Sequence, residues 1–434
     1  MSANSTTLLS DTTFVLTLGL LLVAPLAPAG VALLNTGLGR SRSAAQSLLG
    51  CLTMIAAASL VFALVGATIA DGSVGAGHVL QIAGKAWNWA GAGPLVLNGF
   101  AAAPARAQLE TLFEFLALAL AVLIPWGSGA DRLRLTAGAA LAAVLAALVF
   151  PFFAHWVWTW GGGGGWLAQL GANFGLGAGF LDVGGAGTIH VLGGFSALAV
   201  IWITGARRGK FPKEGLATAM PGHSAVYILF GCLLALVGWI AFNMAGAVLW
   251  LDAAPSTLPL TAINTLLLAS AAVAATFIIT RVRFGKPDAS LCANGWMAGL
   301  VTSSACASLT PPLGAIFVGL VAGIGVPLLV EFLELAASID DPSGGVSVHA
   351  ASGLWGLIAA GMFAPQQGQL LAQLIGIATL LGLILPIIYL LFALLNRVVP
   401  FRVEPDGERI GMDLHELGGG AYPEFVVHRD DSYR

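Results

Sequence analysis

The sequence predicts an all-α polytopic membrane protein of eleven transmembrane helices, arranged as an inverted five-plus-five repeat followed by a final helix. Three observations lead there. Of 434 residues, 58% are hydrophobic and 9% charged, more apolar surface than a soluble core could absorb. Apolar runs of about 20 residues, enough to cross the hydrocarbon, fall near 13–36, 47–70, 108–127, 135–153, 186–205, 224–250, 260–281, 290–308, 313–334, 348–364 and 371–396. One short unit also occurs twice, five runs apart, so an odd number of crossings inverts the second copy.

That unit reads Asp182-Val-Gly-Gly-Ala-Gly-Thr-Ile-His190-Val-Leu-Gly-Gly194 in the fifth run and Asp341-Pro-Ser-Gly-Gly-Val-Ser-Val-His349-Ala-Ala-Ser-Gly353 before and into the tenth. In both, an acid precedes a histidine by eight residues, a hydroxyl residue sits two before the histidine, and a glycine follows four after. Inverted repeats bring such shared residues together near the bilayer midplane.

The first run is read as a retained helix, because Met1–Asp11 is polar without a basic leader and the run is long enough to span. Basic residues set the orientation. Arg40 and Arg42 follow the first run, Arg132 and Arg134 the third, Arg207, Arg208, Lys210 and Lys213 the fifth, and Arg281, Arg283 and Lys286 the seventh. The tail adds Arg397, Arg402, Arg409, Arg429 and Arg434 to the same side, while Lys85 and Arg106 lie opposite. The N-terminus is thus expected outside and the C-terminus cytoplasmic, in a multi-pass protein of the cytoplasmic (inner) membrane. A transmembrane channel domain would cover 1–397, with repeat one about 13–205, repeat two about 224–364 and a last helix about 371–396, leaving 398–434 as a cytoplasmic tail. The 57 glycines suit close helix packing in lipid. Cys51, Cys232, Cys292 and Cys306 lie in apolar runs without ligand spacing and read as buried free thiols. No metal site, cofactor, nucleic-acid partner or enzymatic constellation is expected.

A histidine inside a membrane segment is costly and marks function by default, and a duplicated one more so. Two facing imidazoles can share one N–H···N bond, which fixes opposite tautomers and leaves one outer donor and one outer acceptor. Such a pair suits a small neutral hydrogen-bonding solute. A bare potassium ion would pay several kcal/mol in the same apolar lumen. Ammonium escapes that cost by leaving its proton at the entrance and passing as ammonia. Of the other histidines, His78 lies in an outer loop, His155 at an interface, His415 and His428 in the tail, and His223 where it would cap the sixth helix.

Several further stretches, in order, carry a family likeness: Ala154-His155-Trp156-Val157-Trp158 with its glycine run, Gly238-Trp239-Ile-Ala-Phe242-Asn243, Gly285-Lys286-Pro287, Asn294-Gly295 and Ala298-Gly299-Leu300-Val301. Together with the twin histidines they resemble the ammonium transporter, methylammonium permease and Rhesus protein family, on the bacterial ammonium transporter side, over nearly the whole chain. The resemblance implies eleven helices, the inverted repeat and a homotrimer with one pore per subunit. It implies His190 and His349 as the pore pair, Phe242 as a gate, Trp158 as a wall of an outer ammonium vestibule, and Asp182 as the buried acid below it. Asp182 also reads as an N-terminal cap, and the two readings are compatible.

The chain departs from the family pattern in places. The second gate phenylalanine would fall near Ala117, with Phe113 four residues earlier and Phe115 a geometric substitute. The vestibule serine is replaced by Gly246, and the first helix carries Asn35-Thr36-Gly37, with Asn35 near the inner mouth. Glu114, following Glu110, lies inside the third span and reads either as a recruiter of ammonium in place of the missing contacts or as a snorkelling carboxylate. The tail is polar and by composition mobile, but Gly411-Met-Asp413, Glu416 and Ala421-Tyr422 resemble the family's regulatory segment, which implies docking under the bundle and a PII-type nitrogen regulatory partner. The expected function is ammonium/ammonia transport by recruitment, deprotonation and ammonia passage. The alternatives are an ammonium-binding sensor with little conduction and a Rhesus-like neutral gas channel for ammonia or carbon dioxide.

Overall fold

A bilayer offers no hydrogen-bond partners to an extended backbone, so the apolar runs become helices that satisfy themselves. In the computed structural model, which describes residues 9–71, 77–159 and 164–422, they are α1 (Asp11–Leu38), α2 (Ser41–Ala70), α3 (Ala105–Ser128), α4 (Leu135–Trp158), α5 (Ala186–Thr204), α6 (Ala225–Leu251), α7 (Pro255–Phe284), α8 (Ala289–Cys306), α9 (Pro312–Leu335), α10 (Gly345–Phe363) and α11 (Gln369–Val398). Among the described residues, ten of these are long and apolar enough to cross a membrane; α8 is not among the ten. It carries Asn294, Thr302, Ser303 and Ser304, all buried against neighbouring helices. A two-stranded antiparallel hairpin, β1 (Val79–Ile82) and β2 (Lys85–Asn88), stands between α2 and α3 and was not foreseen in an all-helical reading. The polar leader up to residue 8, the glycines following Trp158 up to 163, and the tail beyond 422 with His428, Arg429 and Arg434 lie outside the described residues.

Local chemistry sets the helix ends. Ser10 accepts from Thr13 N–H, Ser224 from Tyr227 N–H, and Asp288 from Leu291 N–H. The cap expected of His223 therefore belongs to its neighbour Ser224. His223 instead bonds the Gly39 carbonyl and the Tyr422 hydroxyl, both at 3.1 Å. Glycines let helices touch backbone to backbone: a Cβ on Gly30 of α1 would lie 2.5 Å from Ala235 N of α6. Large apolar side chains such as Leu22, Val226 and Leu313 face outward, as lipid requires. The four cysteines are free and buried.

Helices α5 and α10 cross antiparallel. A Cβ on Gly194, midway along α5, would lie 2.6 Å from Gly345 O and Ala350 N at the start of α10, and one on Gly353, midway along α10, would lie 2.7 Å from Ala186 O at the start of α5. This is the relation an inverted repeat demands. The irregular backbone leading into α5 lies inside the protein, where α11 satisfies it. Gln369 accepts from Ala178 N–H and donates to Gly179 O, and Gln373 does the same for Leu181.

On the face where the basic loops gather, Asp340 forms a bidentate pair with Arg207 at 2.8 and 2.9 Å, Arg132 lies 3.7 Å away, and Arg207 also reaches Asp131 at 3.4 Å. The tail docks on the same face, as its resemblance implied and its composition did not. Asp413 accepts from Gln46 N–H at 2.7 Å in the first turns of α2, and Glu416 from Leu135 N–H at 3.0 Å at the start of α4, both helix N-termini that favour anions. Glu408 accepts from Arg208 N–H at 2.7 Å and from the Arg402 guanidinium at 2.8 Å.

Burial pushes the Asp340 carboxyl up, but the Arg207 hydrogen bonds and the Arg132 and Arg207 charges outweigh it and hold it at about 2. Its contribution to stability is thus complete above the ordinary aspartate value near 3.8 and is lost as pH falls toward 2. Asp340→Asn should cost about 3–5 kcal/mol by removing the carboxylate nearest the buried Arg132 and Arg207 guanidinium groups, and should flatten this acid limb in thermal melts of the detergent-solubilised protein.

Candidate functional site

The two copies of the acid–histidine unit fold alike. Gly185 and Gly344 take left-handed backbone, with φ of 80° and 74°, which turns the chain into each helix at a conformation that side chains resist. Asp182 then accepts from Gly187 N–H, Thr188 N–H and the Thr188 hydroxyl at 2.7–3.1 Å; Asp341 accepts from Val346 N–H, Ser347 N–H and the Ser347 hydroxyl at 2.8–3.0 Å. Each carboxylate thus satisfies donors that a helix start leaves open. The first turns are wide: His190 N–H reaches Gly185 O at 3.2 Å and His349 N–H reaches Gly344 O at 3.0 Å, five residues back. Such π-turns rotate a side chain off the regular helical face.

The rotation points the histidines at each other. Their Nδ1 atoms are 3.2 Å apart, with ring centroids 5.2 Å apart, and both residues are buried. One Nδ1 must donate and the other accept, so the pair holds opposite tautomers. His190 Nε2 is buried without a partner among the described residues. The His190 ring stacks on Trp239 at 5.0 Å, and Trp239 is itself held by Ser304 through a 2.9 Å hydrogen bond.

Near the opposite end of α6 from its Ser224 cap stands an aromatic cluster. Phe113 stacks on Phe242 at 4.1 Å and meets the edges of Trp158 at 5.3 Å and Trp250 at 5.5 Å. The two indoles are parallel at 5.4 Å, and Trp158 Nε1 donates to Asp182 O at 2.8 Å, which joins the cluster to the helix cap. Both tryptophans line a cavity of about 420 Å³ whose wall also carries Asp71, Glu110, Thr111, Glu114 and Thr159. These acids sit on the face opposite the basic loops.

Several expected positions fall elsewhere than foreseen. Phe115 does not join the aromatic pair; its ring packs edge-on against Phe62 at 5.0 Å, because neighbours two apart on a helix face different ways. Phe113, four residues before Ala117, makes the stack instead. Asn35 is buried, donates to Leu123 O at 2.9 Å and clasps α1 to α3. Gly246 leaves no empty subsite, since a Cβ there would overlap the Val183 carbonyl. His155, near the end of α4, is buried and bonds Asp71 O at the end of α2 at 3.1 Å. Glu114 is buried on the cavity wall, not snorkelling. Sequence reasoning missed Trp250, although Phe242, Gly246 and Trp250 recur at intervals of four, one stripe of α6. It also missed Trp239 as the platform under His190.

Antiparallel helices that meet at a buried histidine pair, below an aromatic stack and a wide acidic mouth, define a polytopic membrane pore built on an inverted repeat. The chain belongs to the Ammonium Transporter Family, whose model matches residues 13–422. It is 33% identical to the ammonium transporter Amt2 of Archaeoglobus fulgidus over 421 residues, covering 92% of this chain and 85% of that one. With the ammonium transporter Amt2 of Haloferax mediterranei it shares 28% identity, over 92% of this chain and 87% of the relative. Among solved structures, a Sensor Amt Protein superposes with a TM-score of 0.83 at 25% identity, over 93% of this chain and 97% of the other. Candida albicans Mep2, at 22% identity and a TM-score of 0.77 over 98% and 93%, shares the fold.

Asp182→Ala should orphan three buried donors at about 1–3 kcal/mol each, while Asp182→Asn keeps one acceptor oxygen. The alanine variant should therefore melt well below the asparagine variant in detergent; equal melting points would show that the cap does not limit stability.

Proposed function

We propose that the protein moves ammonium across the cytoplasmic membrane as ammonia, through one pore in each subunit, with the acidic cavity facing outward and the basic loops and tail inward. The lopsided basic residues support this orientation. The observation that carries the reading is the buried His190–His349 pair lying beyond the Phe113–Phe242 stack. A lumen whose polar lining includes two mutually bonded imidazoles offers a donor and an acceptor to ammonia but does not surround a cation with ligands, so potassium is refused at the desolvation step.

Ammonium gathers in the outer cavity, where the indole faces of Trp158 and Trp250 attract a partly desolvated cation by about 1–2 kcal/mol. It sheds a proton there, ammonia passes when Phe113 and Phe242 part, and the imidazoles hand it on as acceptor and donor. Reprotonation follows in the cytoplasm. Asp182 serves this path as a cap that fixes the wall behind Trp158. The family resemblance supports a homotrimer and a PII-type regulatory protein at the docked tail, whose Asp413 and Glu416 anchor it beneath α2 and α4.

The test uses the purified protein in liposomes loaded with a pH dye. An outside jump in ammonium should alkalinise the lumen faster than in empty liposomes, saturate with ammonium and ignore added potassium. His190→Ala with His349→Ala should change both rate and selectivity. A flat response from a protein that still binds ammonium would replace transport with the sensor reading.

A further inference from the structure

Among the described residues the outer cavity holds three carboxylates, Asp71, Glu110 and Glu114, and their surroundings differ. Glu110 is paired with Arg106 at 2.8 Å, and Arg106 also reaches Asp252 at 2.6 Å. Asp71 sits at the end of α2, where its backbone carbonyl holds His155. Glu114, one turn deeper on α3 than Glu110, is only 8% exposed and makes no hydrogen bond or ion pair among the described residues. It lines the cavity beside Trp158 and Trp250, next in sequence to the gating ring of Phe113. Nine residues of helix at about 1.5 Å each carry it about 13 Å below the start of α3. A carboxylate carried that far into a membrane and left without a partner is there to meet a cation or a proton.

We propose that Glu114 is the base that takes the proton from ammonium. This rests on the transport reading above and assigns its deprotonation step to one residue. One N–H bond of ammonium breaks and one O–H bond forms on a Glu114 oxygen; the electron pair stays on nitrogen, and neutral ammonia is released against Phe113 and Phe242. The proton then returns through cavity water, past Glu110 and Asp71, to the outer solution, which restores the carboxylate. Free in water, a carboxylate is a far weaker base than ammonia. Between indole walls, two neutral partners cost less to hold than two ions, so transfer accompanies the cation's passage from the wet cavity toward the dry gate. Among the described residues, the cavity wall around Glu114 carries the carboxylates of Glu110 from its own helix and Asp71 from the end of α2, and the uncharged Trp158, Thr159 and Trp250 from α4, the segment after it and α6. Arg106 is turned to Glu110 and Asp252, which leaves Glu114 without a resident counter-ion among the described residues.

The experiment measures lumenal alkalinisation after ammonium jumps at several concentrations and outer pH values, with the empty-liposome rate subtracted, for wild type, Glu114→Gln and Glu114→Asp. The isosteric amide cannot accept the proton, so its saturating rate should fall about 100-fold, the usual contribution of a positioned base. The aspartate variant should recover part of the rate and shift the acid-side loss of transport expected of wild type. A Glu114→Gln protein that keeps the wild-type saturating rate and only needs more ammonium overturns the proposal, leaving recruitment alone. If the amide does not insert, an acid limb unmoved in Glu114→Asp overturns it equally. A wild type without protein-dependent alkalinisation refutes the transport reading itself, an outcome distinct from either.

Discussion

Backbone that leaves the helix inside a bilayer must find every hydrogen bond within the protein, and the pore depends on how two such breaks are closed. Asp182 and Asp341 each take up the open N–H groups of a helix that begins deep in the structure. Because the acids close the helix starts, the glycines can turn sharply and the first turns can widen, and only then do the histidines meet. Gln369 and Gln373 complete the account for the segment before α5. A polar side chain in these places is structural in origin, yet it sets where the chemistry can occur.

Charge is sorted along the pore axis. Acids line the cavity at one end, the middle holds the histidine pair among apolar walls, and the opposite face is knit by Asp131, Asp340, Arg132 and Arg207 into a buried ion network. The tail's carboxylates continue that network by binding the starts of α2 and α4. On that face each of the buried Asp131, Asp340, Arg132 and Arg207 has a partner of opposite sign within 4 Å.

The departures at the mouth are coupled to one another. With alanine at 117, the aromatic pair is made one turn earlier, by Phe113. With glycine at 246, the Val183 carbonyl occupies the space a Cβ would fill, and Trp250, one turn on, stacks beside Trp158. The cavity wall therefore carries both indoles together with Asp71, Glu110 and Glu114, and Glu114 makes no hydrogen bond or ion pair among the described residues.

Periodicity and composition alone determined the helices, because hydrocarbon leaves a 20-residue apolar run little else to form. The duplicated acid–glycine–histidine unit was equally legible, since its residues are close in sequence and their capping geometry is local; its eight-residue spacing is the span of one turn-and-cap. The tertiary structure decided what local pattern cannot express. Phe113 and Phe115 differ by two positions and nothing in composition separates them, yet helix rotation sends one onto Phe242 and the other onto Phe62. Asn35 is polar near a mouth in sequence but finds Leu123 in space. Trp250 and Glu114 acquire meaning only when α3, α4 and α6 converge, because a cavity is made by chain segments far apart in sequence, and what fills or faces it follows from packing.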